Sequence, residues 1–281
     1  MAIFYALLSA VLFGTADFTG GFASRSNPVP AVLVWSQLAG LGLVIAFALL
    51  DGGLPQLAPR DLWLGAATGL AGVGGLGFLY RGLARGYVSI VSPLAAIVGA
   101  VVPILAGLIL GEEIPATATA GIATGVVAIG LISRSPDDAG QHDSARRRRE
   151  SWQDGILSGL LFGWFFILIS RTSAGSGMWP LAVARLASIA LVALGTRLGG
   201  RSLALRARAG TVVLAGLLDM AANIAFVLAV RQGLLTIVSV ISSAYPAQTV
   251  ILSRLILGER IGWLRGLGIA GALVAIALMS L

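Results

Sequence analysis

LILGEEI, Leu108 to Ile114, returns as LILGERI, Leu255 to Ile261. The copies lie 147 positions apart, and the same shift carries Ile90-Val91-Ser92 onto Ile237-Val238-Ser239 and Val127-Ala128-Ile129 onto Val274-Ala275-Ile276. Over residues 86–132, 20 of 47 positions are identical without a gap. Shared hydrophobicity inflates such a score, but Gly111-Glu112 falling on Gly258-Glu259 does not follow from apolar composition. Self-similarity at one fixed shift marks internal duplication. Earlier segments repeat more faintly: Leu12-Phe13-Gly14 answers Leu161-Phe162-Gly163, and Pro30 answers Pro180.

The duplicated unit is a membrane unit. Of 281 residues, 57% are hydrophobic and 11% charged, with a mean hydropathy of +0.95, far from the composition of water-soluble domains. A hydrocarbon core of about 30 Å takes roughly 20 apolar residues per helical crossing. Hydropathy and turn signals predict ten spans, at 3–23, 29–50, 62–81, 87–110, 115–133, 153–172, 178–197, 209–230, 234–257 and 261–280. The expected fold is an all-α polytopic membrane protein of ten transmembrane helices. The longest polar break, from Ser133 to Asp154, divides them into a first five-helix repeat over 1–133, an Arg-rich linker over 134–152 and a second five-helix repeat over 153–281. Five is odd, so the second repeat starts on the opposite side of the membrane and is inverted. Inverted repeats that rock about a midplane site are the build of many alternating-access carriers.

Several chemistries are absent from the chain. It has no cysteine and no lysine, and its one histidine, His142, falls in a polar loop. No disulfide, thiolate or histidine–cysteine metal site can form, and no cofactor or metal is expected. There is no phosphate-binding G-x-x-x-x-G-K-[ST] loop, no G-x-S-x-G elbow and no H-E-x-x-H helix. The net charge is +7 and the pI about 11.1, but loop arginines in a polytopic protein record orientation rather than nucleic-acid binding. Three arginines fall in loops on the side of the termini and fourteen on the other, which places the termini outside and the linker in the cytoplasm. Ile3 to Phe22 lacks a basic leader and is read as a retained first helix.

The sequence resembles the EamA-type transporters of the drug/metabolite transporter superfamily. The likeness is carried by LILGEEI and LILGERI, by Leu12-Phe13-Gly14 and Leu161-Phe162-Gly163, and by Ala84-Arg85-Gly86. It implies ten helices in two inverted five-helix repeats. It further implies a secondary transporter of the bacterial inner membrane that exports amino acids, the aromatic ones among them, and related small metabolites. Sugars and nucleosides are the alternative cargo. The expected partners are a small-molecule substrate and membrane lipids, with a proton as candidate coupling ion and no nucleic acid, in a monomer or a homodimer. An intramembrane aspartyl enzyme is the competing class, and it needs Asp17 and Asp219 to meet.

Ionisable groups in a bilayer are expensive and mark function by default. Asp17, in the first helix, and Asp219, in the eighth, are candidates to carry a proton or hold a substrate amine; the alternative pairs Asp219 with Arg185 structurally. Asn223 follows Asp219 at i+4, on the same helix face. Helix nine carries a polar stripe through Ser242, Tyr245 and Gln248, and Ser92 stands in its repeat partner, helix four. Hydroxyls and an amide in such a stripe can hold a zwitterion or join helices. Tyr80 and Trp164, away from the interfacial belts, are candidate stacking residues. Pro93, Pro103 and Pro246 interrupt hydrogen bonding in helices four and nine and are candidate gating positions. Glu112 and Glu259 are read as each capping the helix that follows. Gly121-x-x-x-Gly125 and Gly262-x-x-x-Gly266 are expected to pack helices five and ten together.

Overall fold

The structure, a computed structural model, describes residues 1–52, 57–84, 88–132, 145–200, 202–257 and 262–280. Among these the secondary structure is helical: α1 (Ala2–Ser24), α2 (Val29–Gly52), α3 (Pro59–Ala84), α4 (Val88–Ile109), α5 (Ala116–Ile132), α6 (Ala145–Ser170), α7 (Trp179–Leu198), α8 (Ala209–Val230), α9 (Leu235–Ser242), α10 (Tyr245–Leu257) and α11 (Trp263–Ser280), with a 3₁₀ turn at Ala174–Ser176. Six stretches are long and apolar enough to cross a membrane: α1, residues 29–50, α3, residues 149–170, α7 and α8. Shorter apolar helices occupy 94–109, 116–131 and 266–279. A bilayer forces such segments into helices, because only a helix satisfies every backbone N–H and C=O internally.

Two elements differ from the sequence reading. The helix expected from 153 begins at Ala145, inside the stretch assigned to the linker, because ARRRRE is polar yet made of good helix formers. The single span expected at 234–257 is two helices, α9 and α10, broken at Ser243-Ala244. Pro246 is the second residue of α10 and has no N–H to give the Ser242 carbonyl, and a residue before proline is biased away from the helical region.

Packing follows a two-fold pattern. Matching each of the first five helices to its counterpart five places later, α1 on α8 answers α6 on α3, α2 on α8 answers α7 on α3, and α4 on α6 answers α1 against α9 and α10. The closest approaches obey the same rule. A Cβ on Gly69 would lie 2.0 Å from the Ala184 carbonyl oxygen, and one on Gly216 would lie 2.0 Å from that of Ser36. Gly69 and Gly216 are one repeat shift of 147 apart. Helices α5 and α11 pack together, as expected. Gly121 meets Ala275 and Met279 there, and Gly271 of α11 faces Ala128 of α5, whereas a Cβ on Gly266 would touch nothing within 4 Å, so the contact does not use Gly266.

Side-chain bonds tie the two halves at both ends of the bundle. Glu112 does not cap the helix that follows it. Its carboxylate accepts the Leu235 N–H at 2.8 Å, the Thr236 N–H at 3.1 Å and the Thr236 hydroxyl at 2.5 Å, capping α9 in the other half. An anion is favoured at any helix N-terminus, and tertiary packing chose which. Asp61 accepts the Ser173 N–H and the Ser173 and Ser176 hydroxyls. At the opposite end Arg81 pairs with Asp154, and Asn27 accepts the Arg206 N–H at 2.7 Å while donating to the Ala207 carbonyl at 2.9 Å.

Candidate functional site

A cavity lies among α1, α3, α4, α6, α7, α8 and the break between α9 and α10. Its aromatic wall is Phe13 of α1, Phe162, Phe165 and Phe166 of α6, and Tyr245. Positions 162, 165 and 166 share one face of α6 because they are spaced i, i+3, i+4. Phe166 stacks on Phe226 with ring centroids 4.3 Å apart and meets Phe13 edge-on at 6.2 Å. Glycines 69, 72 and 99 line the cavity where side chains would fill it.

The charged lining residues are Asp17, Arg185 and Asp219. Arg185 Nη2 lies 2.5 Å from Asp219 Oδ2, and its Nη1 donates to the buried Gln37 Oε1. Asn223 Nδ2 donates to the Asp219 carbonyl at 2.7 Å and reaches its carboxylate at 3.4 Å. The guanidinium and carboxylate thus form a buried, hydrogen-bonded pair, the arrangement in which two charges tolerate a low dielectric. Asp17 is 6% exposed and makes no ion pair or side-chain hydrogen bond among the described residues. It sits close enough to Asp219, Tyr80 and Tyr245 to interact electrostatically.

Of the residues singled out from sequence, Asp17, Asp219, Asn223 and Tyr245 meet in this cavity. Ser242, the neighbour in sequence of the lining residue Ser243, is buried with its hydroxyl unpartnered among the described residues, and Ser92 is buried in α4. Tyr80 is buried and is not among the residues lining the cavity, its hydroxyl in the space a Cβ on Gly20 would take. Gln248 serves helix joining: its amide reaches the Thr15 hydroxyl at 3.4 Å while Thr249 donates to the Gly14 carbonyl at 3.1 Å. Trp164 faces away, 53% exposed, because it is two residues from Phe162 and Phe166 and therefore on another face of α6. Among the prolines, Pro246 stands at the break, Pro103 lies buried in an α4 that continues through it, and the side chain of Pro93, with all of Glu259, falls outside the described residues.

Sequence reading missed Gln37 and the phenylalanines as site residues and held Arg185 only as a structural partner. Phe165-Phe166 in mid-span was the available signal. Gln37 had none, since one buried amide looks like any other polar residue in a span.

Comparison with known proteins agrees with the geometry. The model of the EamA-like transporter family matches residues 1–134 and again 155–281. A solved crystal structure 17% identical in sequence superposes with a TM-score of 0.77, over 99% of this chain and 95% of that one, a likeness of fold. No curated protein matches the chain. Asp17 and Asp219 do share a cavity, but the family whose model spans both halves is one of transporters and not of aspartyl enzymes. This polytopic membrane chain belongs to the EamA-like transporter family, whose members move small molecules and are not enzymes.

Proposed function

We propose that the protein is a secondary exporter of amino acids, aromatic ones included, and related metabolites. It crosses the inner membrane ten times as two inverted five-helix repeats, with its termini outside, and works by alternating access. The observation that carries the reading is one cavity joining an aromatic wall to the Arg185–Asp219 pair. A zwitterion complements such a pair: its carboxylate meets the guanidinium fork, which suits planar anions, and its ammonium meets Asp219. An apolar or aromatic side chain then lies against Phe162, Phe165 and Phe166.

Counterflow tests this. Proteoliposomes loaded with unlabelled phenylalanine and offered a trace of labelled phenylalanine are expected to show a transient overshoot that empty-loaded vesicles lack. If a full amino acid panel gives no overshoot with folded, reconstituted protein, the cargo is a sugar, a nucleoside or another metabolite.

A further inference from the structure

The Arg185–Asp219 pair is neutral as a unit, and so is a zwitterion, which leaves the Asp17 carboxyl as the one acidic group lining the cavity outside that pair. Three residues lining the same cavity also carry buried oxygens that lack hydrogen-bond partners among the described residues: Asn223 Oδ1, the Ser243 hydroxyl and the Tyr245 hydroxyl. Asn223 is held in that sense, because its amide N–H groups are committed to Asp219, leaving its carbonyl oxygen as a fixed acceptor. The break adds a further oxygen, since Pro246 has no N–H for the Ser242 carbonyl. Asp17 is brought to this place by α1: Gly14, one turn before it on the same face, is where α1 touches the break, a Cβ there lying 2.4 Å from the Tyr245 carbonyl oxygen.

A single carboxylate among neutral oxygens, without sulfur or imidazole, suits a hard cation. Among the described residues no group of three or more His, Cys, Asp and Glu gathers for a multivalent ion. Unwound backbone in a membrane helix is tolerated where it lines a cavity, and its free carbonyls are suited to ions. We propose that the protein binds a sodium ion between Asp17 of α1 and the α9–α10 break, with Asn223 Oδ1, Ser243 Oγ, Tyr245 Oη and the Ser242 carbonyl as the neutral ligands. The site uses Asp17 and not the Arg185–Asp219 pair, so it stands whatever the cargo is.

The test is thermal unfolding of the purified full-length protein in detergent, without substrate, in rising sodium chloride with ionic strength held by choline chloride. The unfolding midpoint is expected to climb along a saturable curve. Asp17→Asn should abolish the response, and Tyr245→Phe, which removes one hydroxyl, should raise the sodium concentration for half the shift by about tenfold or more. Binding of radioactive sodium to the wild-type protein, near one ion per chain, keeps the proposal testable if Asp17→Asn does not fold. A midpoint indifferent to replacing choline by sodium, with no retained radioactive sodium, overturns it in favour of a site that holds water or a proton. An Asp17→Asn protein that keeps the wild-type sodium response overturns the assignment of Asp17. Amino acid counterflow without sodium binding would leave the transport reading standing and remove the ion site alone.

Discussion

Arg185 and Asp219 show what one contact decides. Each is under 10% exposed, so each alone would be an uncompensated charge away from water, and together they are a neutral dipole, with Gln37 accepting from the guanidinium and Asn223 donating towards the carboxylate. Breaking a buried pair from one side costs about 3–5 kcal/mol, whereas replacing both members with apolar groups comes near neutrality. Arg185→Met is therefore expected to destabilise the protein by roughly that amount, and adding Asp219→Leu to restore most of it. A double-mutant cycle by chemical unfolding in detergent reads the coupling. Additive effects of the two substitutions would show that the pair does not act as a unit. Both proteins should fail to transport, which separates stability from function at this site.

At the scale of helices, contact rests on absent side chains. Gly69→Ala and Gly216→Ala each place a carbon 2.0 Å from a backbone oxygen of the facing helix, a neighbour that cannot rotate away. Each is expected to lower stability by about 1–3 kcal/mol, the usual cost of overpacking. Gly42→Ala is the control, since a Cβ there meets nothing within 4 Å, and it should be neutral or stabilising by up to about 1 kcal/mol through helix propensity. Thermal unfolding in detergent ranks the three, and a control as damaged as the test pair would defeat the argument. The broken helix was half legible. Ser242-Ser243 with Pro246 carries the signal, yet Pro103 sits in a continuous α4, so proline permits a break and packing decides whether one forms. Trp164 was misjudged for a related reason: hydropathy fixes that α6 is in the membrane, not which way it is turned.

The whole molecule is symmetric in packing and asymmetric in chemistry. Because the Ser36 and Ala184 carbonyls receive equivalent glycines, the next residues, Gln37 and Arg185, are counterparts, and they bond each other across the repeats. Asp219, one shift of 147 from Gly72, has a glycine as its counterpart. The repeat supplies matched helix packing, and divergence within it supplies one polar cluster. Orientation belongs to this scale as well. The chain is free of cysteine, so single cysteines report sidedness without background. Gly175→Cys is expected to react with a membrane-impermeant maleimide in intact cells, and Ser202→Cys only after lysis, as the arginine count requires. The reverse pattern would put the termini inside.

The sequence by itself determined that this is a helical membrane protein, the limits of most helices, the duplication and the family, because hydropathy, turn residues and repeats are local or linear properties of a chain. It also marked Asp17, Asp219, Asn223 and Tyr245, since polar groups are conspicuous in an apolar span. Only the tertiary structure decided that Arg185 neutralises Asp219, that Glu112 caps α9 rather than its own neighbour, and that Phe162, Phe165 and Phe166, not Trp164, wall the cavity. Those outcomes depend on the rotation of each helix about its axis and on which helices touch, and both are set by side-chain packing between residues far apart in the chain, which no single segment encodes.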